Sequence, residues 1–278
     1  MYNLIMIRDL KKPKLVASDI GGTLIKNDDV IPLFTCKVLN KLIKKDIPVV
    51  LITGFNYITT KKYTKNLDKK IILMIQNGAV CIKNNRIYWE YQIPALDAEQ
   101  IYDFMDKRKI PIIVYKGKRE NFNIFYKKME VTEKPKPFVE AENIENFYNI
   151  TGISTLIPNI LVEKTREEIE TIIKDKFQLI YSKGAKFSWL EITPIEARKD
   201  IALKRISNEM SISISDAIYF GDNFNDLDVL NTVGYPIIVK NSVRELKEKF
   251  IITTDSVFNE GVAKYLDKLF DLKVNIKI

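Results

Sequence analysis

One carboxylate in the chain stands where it could act as a nucleophile. The apolar run 15–19 predicts a strand that ends at Asp19, and Gly21, Gly22 and Thr23 follow it. Open α/β sheets build their sites at the carboxyl ends of strands, and a carboxylate there can attack an electrophile covalently. Asp and Gly are also common turn formers, so an ordinary turn is the alternative for this segment taken alone.

A second segment is rich in oxygen ligands. The loop 221–226, of sequence Gly-Asp-Asn-Phe-Asn-Asp, follows the predicted strand 217–220. Clustered carboxylate and amide oxygens are the ligands that a hard cation prefers. A polar loop in which Asn225 or Asp226 caps a helix is the alternative. A calcium loop of the EF-hand type is excluded, because Leu227 stands where that loop requires glycine.

Two further side chains could bind phosphoryl oxygens. Thr53 ends the apolar strand 48–53, and Gly54 follows it. Lys199 begins the predicted helix 199–210, where its charge opposes the helix dipole. Taken singly, both have ordinary explanations, because Thr-Gly after a strand is common and most lysines lie on the surface.

The four features lie at strand ends or at a helix start, so we expect them to meet at one edge of a sheet. Together they could carry phosphoryl transfer. Asp19 would attack phosphorus and would hold a metal ion together with Asp222. Thr53 and Lys199 would bind the phosphoryl oxygens.

Composition excludes several other kinds of site. The chain of 278 residues contains no histidine, which rules out Ser-His-Asp and Cys-His nucleophile systems and makes a zinc site improbable. Any metal would be held by oxygen ligands, which favours magnesium. Two cysteines, Cys36 and Cys81, cannot form a disulfide framework and suit a reducing compartment. With no signal-peptide pattern and no membrane-spanning run, we expect a cytoplasmic protein.

The formal net charge is +8, and 46% of the residues are hydrophobic. A basic surface could attract nucleic acid. However, the lysines are scattered along the chain, no nucleic-acid-binding motif accompanies them, and the densest group, at 61–70, suits a solvated helix face. We therefore expect a small phosphorylated partner rather than nucleic acid or a membrane. The sequence does not predict an oligomeric state.

Strands and helices alternate in the first third of the chain. Helices are predicted at 32–45 and 57–66 and strands at 48–53 and 71–76, which indicates a parallel sheet with right-handed crossovers. The pattern then becomes mixed, beginning with a hairpin around residues 83–85 and including a loop at 133–137. It returns to alternation from residue 199 onward. The prediction is an α/β core at 1–83 and 187–278 with an inserted α+β module at 84–186.

These motifs resemble those of the haloacid dehalogenase superfamily phosphohydrolases, more narrowly the Cof-type subfamily IIB. Segment 19–23 is similar to the family's first motif, Asp-x-Asp-Gly-Thr, and Thr53-Gly54 to the second. Lys199 and the loop 221–226 match the third and fourth motifs. Asn77-Gly78-Ala79 is typical of this branch, and segments 241–242 and 259–263 are similar to its tail.

The resemblance implies a Rossmann-like core, a cap domain that selects the substrate, Mg²⁺, an aspartyl-phosphate intermediate and a small phosphorylated substrate. By motif position, the resemblance implies a catalytic set of Asp19, Lys199 and Thr53. It also implies substrate contacts from Thr53, Gly54, Asn77, Lys199 and Asn225. The metal ligands it implies are Asp19, the Gly21 carbonyl, Asp222 and Asp226.

Two positions depart from the family pattern. Gly21 stands where the family has a second aspartate, which protonates the leaving group and activates water, and Phe55 stands where many relatives have arginine. General acid–base catalysis contributes about 10²–10⁴-fold in rate. Three hypotheses remain open: a phosphatase with reduced turnover, a non-catalytic protein that binds a phosphorylated ligand, and a phosphoryl-transfer protein with a long-lived aspartyl-phosphate.

Overall fold

Short buried runs of apolar residues form the strands, and amphipathic segments form the helices between them. The computed structural model describes residues 12–26, 30–117, 123–127, 139–140, 146–251 and 253–274. The strands in chain order are β1 (Leu15–Ser18), β2 (Val49–Ile52), β3 (Ile72–Ile75), β4 (Val80–Lys83), β5 (Arg86–Glu90), β6 (Ile112–Lys116), β7 (Asn123–Lys127), β8 (Val139–Glu140), β9 (Ile150–Pro158), β10 (Phe177–Ser182), β11 (Phe187–Pro194), β12 (Ala217–Gly221), β13 (Tyr235–Val239) and β14 (Thr253–Thr254). The α-helices are α1 (Leu33–Lys44), α2 (Tyr57–Tyr63), α3 (Ala95–Lys107), α4 (Val162–Ile173), α5 (Lys199–Glu209), α6 (Leu227–Leu230), α7 (Arg244–Lys249) and α8 (Gly261–Leu269).

The core sheet has eight strands in the order β14-β13-β12-β1-β2-β3-β4-β5. Pairing is parallel from β14 through β3 and antiparallel from β3 to β5. This confirms the predicted α/β core. The register pairs Ser18 at the end of β1 with Phe220 of β12 and with Leu51 of β2. The segments that follow these three strands are therefore neighbours at one edge of the sheet.

Helices cover both faces of the core sheet. Because strand side chains alternate between faces, Val16 of β1 lies in the apolar cluster with Leu39 of α1 and Leu266 of α8. Ala17, the next residue, lies in the opposite cluster with Leu203 of α5. These side chains are fully buried. The parallel sheet is thus apolar on both sides, as crossover helices require.

A second sheet of six strands, in the order β10-β11-β9-β6-β7-β8, forms the inserted cap. Its pairing is antiparallel except between β7 and β8. Ile101 of α3 and Ile169 of α4 pack with Ile153 of β9 in a third apolar cluster. The predicted α+β character of the insertion is confirmed. The predicted loop 133–137 lies outside the described residues.

Two strands lie on the other side of the predicted boundaries at residues 83–84 and 186–187. The strand β5, predicted for the cap, extends the core sheet, because Asn84 and Asn85 adopt left-handed φ values of 53° and 59° and make a tight hairpin with β4. The strand β11, predicted for the core, pairs with β9 and β10 in the cap sheet. We propose that the chain crosses between the domains near residues 91–92 and 195–198.

Among the described residues, we find no helix with both the length and the apolar character needed to cross a bilayer.

The helix α1 is amphipathic and has one buried face. Leu39 on that face is fully buried, whereas Leu33 at the helix start is 63% exposed.

We predict that Leu39→Ala lowers the free energy of unfolding by about 2–5 kcal/mol, because it removes buried methyl groups and leaves a cavity. The matched variant Leu33→Ala should change it by less than about 0.5 kcal/mol, because the side chain is already in water. Urea unfolding followed by circular dichroism measures both. Equal losses in the two variants would contradict the packing described for α1.

Candidate active site

The site lies where three neighbouring parallel strands end. Asp19 follows β1, Thr53 follows β2, and Asp222 follows β12. The backbone N–H of Asp19 donates to the carbonyl of Phe220 at 2.9 Å, which extends the β1–β12 pairing up to the carboxylate. The strand order β12-β1-β2 therefore brings Asp222 close to Asp19 and Thr53, which lie far away in the sequence.

Lys199 joins two carboxylates in this site. Its Nζ donates to Asp19 Oδ1 at 2.6 Å and to Asp226 Oδ1 at 2.7 Å, and the residue is only 3% exposed. Burial opposes the charge of Lys199, but the two carboxylates outweigh it and raise the pKa above the ordinary lysine value. The unfavourable position of a lysine at the start of α5 is thus offset by two buried ion pairs.

Asp226 has no oxygen left without a donor. Oδ1 accepts from Lys199 and from the hydroxyl of Tyr219 at 2.7 Å. Oδ2 accepts from the backbone N–H groups of Asp222 at 2.9 Å and Asn223 at 3.1 Å. Asp226 is fully buried. These four hydrogen bonds shape the loop 221–226 and orient Lys199. Tyr219 was not predicted, because a tyrosine inside an apolar strand resembles any other core residue.

Three carboxylates are crowded at this edge. Ligand atoms of Asp19, Asp222 and Asp226 all lie within 4.8 Å of one another. Burial raises the pKa of Asp19 to about 7, although Lys199 lowers it. Burial also raises the pKa of Asp222 well above its usual value, and the charges of Asp19 and Asp226 add to the effect. If all three carboxyl groups are ionised, their negative charge exceeds the single positive charge of Lys199.

The possible ligand atoms in this cluster suit a hard divalent cation. The ligand atoms available are carboxylate oxygens, which suit magnesium rather than zinc or copper. The hydroxyl of Thr23 donates to Asp222 Oδ1 at 2.9 Å and so orients that carboxylate. Because Asp226 is saturated with donors, Asp19 and Asp222 are the carboxylates best able to hold the ion. The predicted use of the Gly21 carbonyl and of Asp226 as ligands stays a prediction.

The turn after Asp19 is held tightly against the loop 221–226. Gly22 has φ +76°, and a Cβ there would overlap the carboxylate of Asp222, so both conformation and space require glycine. Asn241 Nδ2 donates to the carbonyl of Gly22 at 2.7 Å, and Asn241 Oδ1 accepts from the N–H of Val257 at 2.8 Å. Asn241 entered the sequence comparison only as part of a similar tail, and its contact with the turn became visible in the structure.

Thr53 is poised as a hydroxyl donor. Its Oγ1 accepts from the backbone N–H of Phe55 at 3.2 Å, which leaves the hydroxyl proton available. Its carbonyl accepts from the N–H of Asn77 at 2.8 Å. A Cβ on Gly54 would lie 3.2 Å from Glu191 Oε1, so this glycine allows the cap carboxyl to approach closely.

Asn77 lies in a strained turn between the two domains. Gln76, Asn77 and Gly78 have φ values of 51°, 55° and 103° in succession. Asn77 Nδ2 donates to Glu191 Oε2 at 2.5 Å, and Asn77 Oδ1 accepts from Asn225 Nδ2 at 3.3 Å. The structure thus brings the predicted residues Asn77 and Asn225 together. Their binding of substrate stays a prediction.

Glu191 is a site residue that was not predicted. It belongs to β11 of the cap and is 8% exposed. Burial raises its pKa to about 7, against the lowering effects of Lys199 and of the Asn77 hydrogen bond. The only sequence hint was an acidic residue inside the apolar segment 189–192, which by itself does not tell a buried position from an exposed one.

Stability should depend on pH through Glu191. Because its pKa is raised from 4.5 to about 7 in the folded protein, the contribution is fully present below pH 4.5 and is lost as pH rises to about 7. Glu191→Gln keeps an acceptor for Asn77 and removes the titration. In metal-free buffer, wild type should lose about 2–3 kcal/mol relative to Glu191→Gln between pH 5 and pH 8, measured by urea unfolding.

The exposed Glu196 supplies the matched control for this measurement. Glu196→Gln should follow the pH dependence of wild type. A constant difference between wild type and Glu191→Gln across the pH range would contradict the burial of an uncompensated carboxyl group at residue 191.

Comparisons with known proteins relate this chain to a family of hydrolases. The family model described as haloacid dehalogenase-like hydrolase matches residues 16–266. A Haemophilus influenzae protein that bears the name of a phosphatase, with no substrate stated, is 26% identical over 266 residues, covering 92% of this chain and 98% of that protein. The 5-amino-6-(5-phospho-D-ribitylamino)uracil phosphatase of Bacillus subtilis is 23% identical, covering 94% of this chain and 99% of that protein.

The fold has close structural counterparts. A solved structure described as a sugar phosphatase of haloacid dehalogenase subclass IIB superimposes with a TM-score of 0.71 at 18% identity, covering 93% of this chain and 99% of that chain. The family match spans most of the sequence and includes the segments that form the site. The chain therefore belongs to the haloacid dehalogenase-like hydrolases.

Proposed function

We propose that this protein is an Mg²⁺-dependent phosphohydrolase that acts on a small phosphorylated metabolite through an aspartyl-phosphate on Asp19. The observation that carries the proposal is the position of the Lys199 ammonium group, 2.6 Å from Asp19 Oδ1 and 2.7 Å from Asp226 Oδ1, at the edge where Thr53 and Asp222 converge. The name of the Bacillus subtilis relative supports a phosphorylated small molecule as substrate.

Asp19 is the proposed nucleophile. Its carboxylate oxygen attacks phosphorus, and the bond from phosphorus to the leaving-group oxygen breaks with its electron pair on that oxygen. Water then attacks phosphorus of the aspartyl-phosphate, inorganic phosphate leaves and the carboxylate is restored. Lys199 favours the ionised form of Asp19 before attack and offsets the charge of the phosphoryl group as it approaches.

Asp19 and Asp222 would hold Mg²⁺, together with the carbonyl of Gly21, and Asp226 would support them through Lys199 and the loop backbone. When bound, the ion would supply positive charge that stabilises the phosphoryl oxygens. Thr53, through its free hydroxyl proton, and the backbone at Gly54 would bind those oxygens. Asn77 and Asn225, which hydrogen-bond to each other at 3.3 Å, would face the substrate from the side of the cap.

Binding of a phosphorylated ligand with impaired turnover is the second candidate function. The observation that favours it is Gly21, which offers no side chain to protonate a leaving group or to activate water. The expectations of a cytoplasmic location and of no nucleic-acid or membrane partner stay predictions.

Asp19→Asn should lower the rate of phosphate release from 4-nitrophenyl phosphate in Mg²⁺ buffer by about a thousandfold or more, because an amide is not a nucleophile. The matched variant Asp175→Asn, at an exposed position on the cap, should keep the wild-type rate. Release of nitrophenolate reports the attack of Asp19 on phosphorus. Covalent labelling of the protein by substrate with a radioactive phosphoryl group reports the aspartyl-phosphate before its hydrolysis. Activity that survives in Asp19→Asn would overturn the assignment of the nucleophile.

Mg²⁺ should also stabilise the protein in the absence of substrate. An ion that binds the native state at a hundred times its Kd adds about 2.7 kcal/mol to stability, so the Tm should rise on Mg²⁺ addition and fall back with chelator. Asp222→Asn should remove this shift, whereas Asp175→Asn should retain it. An Mg²⁺-induced shift of equal size in Asp222→Asn would contradict the ligand set.

A further inference from the structure

We propose that the ring of Phe55 fills the space of an acid–base side chain at residue 21 and thereby restricts the site to leaving groups that depart without a proton. Such leaving groups are aryl oxides, carboxylates and phosphates. The substrate class is then a phosphoryl group on one of these, rather than an alkyl phosphate. This inference rests on the phosphohydrolase function proposed above and deepens it.

The ring lies directly over the α-carbon of Gly21. An ideal Cβ at residue 21 would lie 2.8 Å from Phe55 Cζ, 3.3 Å from Cε2 and 3.6 Å from Cε1. Among the described residues outside the immediate chain neighbours of Gly21, these ring atoms are the three nearest to that position. A carbon–carbon distance of 2.8 Å is much shorter than an ordinary van der Waals contact. Any side chain at residue 21 therefore requires the ring to move.

The backbone itself does not require glycine at this position. Gly22 and Gly78 are the described glycines with positive φ, and Gly21 is not one of them. A side chain at residue 21 is therefore compatible with the turn. The obstacle is the ring of Phe55, so the two departures from the family pattern, at residues 21 and 55, are one coupled feature.

The ring of Phe55 packs on a buried neighbour, and two hydrogen bonds hold its backbone. Its ring packs edge-on against Tyr63 with centroids 5.3 Å apart and an interplanar angle of 67°. Its N–H donates to Thr53 Oγ1 at 3.2 Å, and its carbonyl accepts from the N–H of Gln76 at 3.1 Å. Moving the ring away from Gly21 would disturb the packing on Tyr63, which is buried.

The neighbouring ionisable groups are committed elsewhere. Asp226 accepts four hydrogen bonds, and Lys199 donates to Asp19 and Asp226. Glu191 accepts from Asn77 and approaches the α-carbon of Gly54. Next to the position of a Cβ on residue 21, the structure offers an apolar ring in place of a proton donor.

The chemistry follows from this substitution. When Asp19 attacks phosphorus, the electron pair of the breaking bond goes to the leaving oxygen. An aryl oxide, carboxylate or phosphate is stable with that charge, whereas an alkoxide needs a proton in the transition state. The site therefore favours aryl phosphates, acyl phosphates and phosphoanhydrides.

A thermal-unfolding cycle tests the position of the ring without any turnover. Gly21→Ala should lower the Tm by about 2–6 °C in the wild-type background, because it overpacks the ring. In the Phe55→Ala background, the same change should lower it by less than about 1 °C. Gly152→Ala is the matched control, since its nearest Cβ contact, 3.4 Å, is to Tyr115 in the cap. Its effect should be equal in both backgrounds.

A leaving-group series tests the selectivity. Single-turnover rates with 4-nitrophenyl phosphate, phenyl phosphate and glycerol phosphate should fall in that order in wild type, by about 100-fold or more from first to last. Gly21→Asp alone should raise the glycerol phosphate rate by less than about tenfold. The double variant Gly21→Asp/Phe55→Ala should raise it by about 10²–10⁴-fold.

The outcomes separate the two proposals. Equal rates for all three substrates in wild type would overturn the inference and leave the phosphohydrolase standing. Loss of the glycerol phosphate rate in Glu191→Gln would then assign the acid to Glu191. Full restoration by Gly21→Asp alone, or an equal Tm loss from Gly21→Ala in both Phe55 backgrounds, would also overturn it. If no protein in the series released nitrophenolate through Asp19, the proposed function would fail and the leaving-group preference with it.

Discussion

The arrangement of the site depends on the contact of one buried ammonium group, that of Lys199, with the buried carboxylates of Asp19 and Asp226. Removing charges from water is costly unless they are paired and hydrogen-bonded. Lys199 and Asp19 are therefore stable inside the protein only because each has the other, and because Asp226 is saturated by four donors. The remaining carboxylate, Asp222, has the hydroxyl of Thr23 as its donor. This leaves a net demand for positive charge at the sheet edge, which a divalent cation can meet.

The sheet order makes that contact possible. Strands β12, β1 and β2 are neighbours, so three loops from distant parts of the chain open at the same edge. Lys199 follows β11 after a short connection, and so the cap strand that carries Glu191 leads almost directly to the ammonium group. The Asn77–Glu191 hydrogen bond joins the two domains beside Gly54. This edge of the core sheet and the cap are therefore joined by a hydrogen bond in this structure.

Much of this arrangement could be predicted from the sequence, because its determinants are local. Apolar runs that end in Asp19, in Thr53 and at the loop 221–226 indicate strands whose ends meet, and the structure brings these residues together. The sheets that β5 and β11 join could not be predicted in the same way. A hairpin strand at the edge of a parallel sheet, such as β5, and a long strand of a cap sheet, such as β11, have the same local pattern. Which sheet each one joins is decided by tertiary pairing.

The positions of Phe55 and Glu191 were hidden for a related reason. The sequence shows that Phe55 replaces a common arginine and that Gly21 replaces an aspartate, but it does not show that the two residues touch. Likewise, the burial of Glu191 depends on Asn77 and Gly54, which lie far away in the chain. Contacts between distant segments carry no local pattern, so only the folded structure reveals that the Phe55 ring lies over Gly21 and that Glu191 is buried.

The absence of histidine gives the buried carboxyl groups an unusual share of the protein's acid–base behaviour. Burial raises the pKa of Asp19 and Glu191 to about 7, while it raises the pKa of the two cysteines to about 11 and 12. Among the described residues, these two carboxyl groups lie in or beside the carboxylate cluster of Asp19, Asp222 and Asp226. Occupation of that site by a cation would displace protons from it. Proton release into the solvent is therefore an intrinsic reporter of the site, with no histidine background to obscure it.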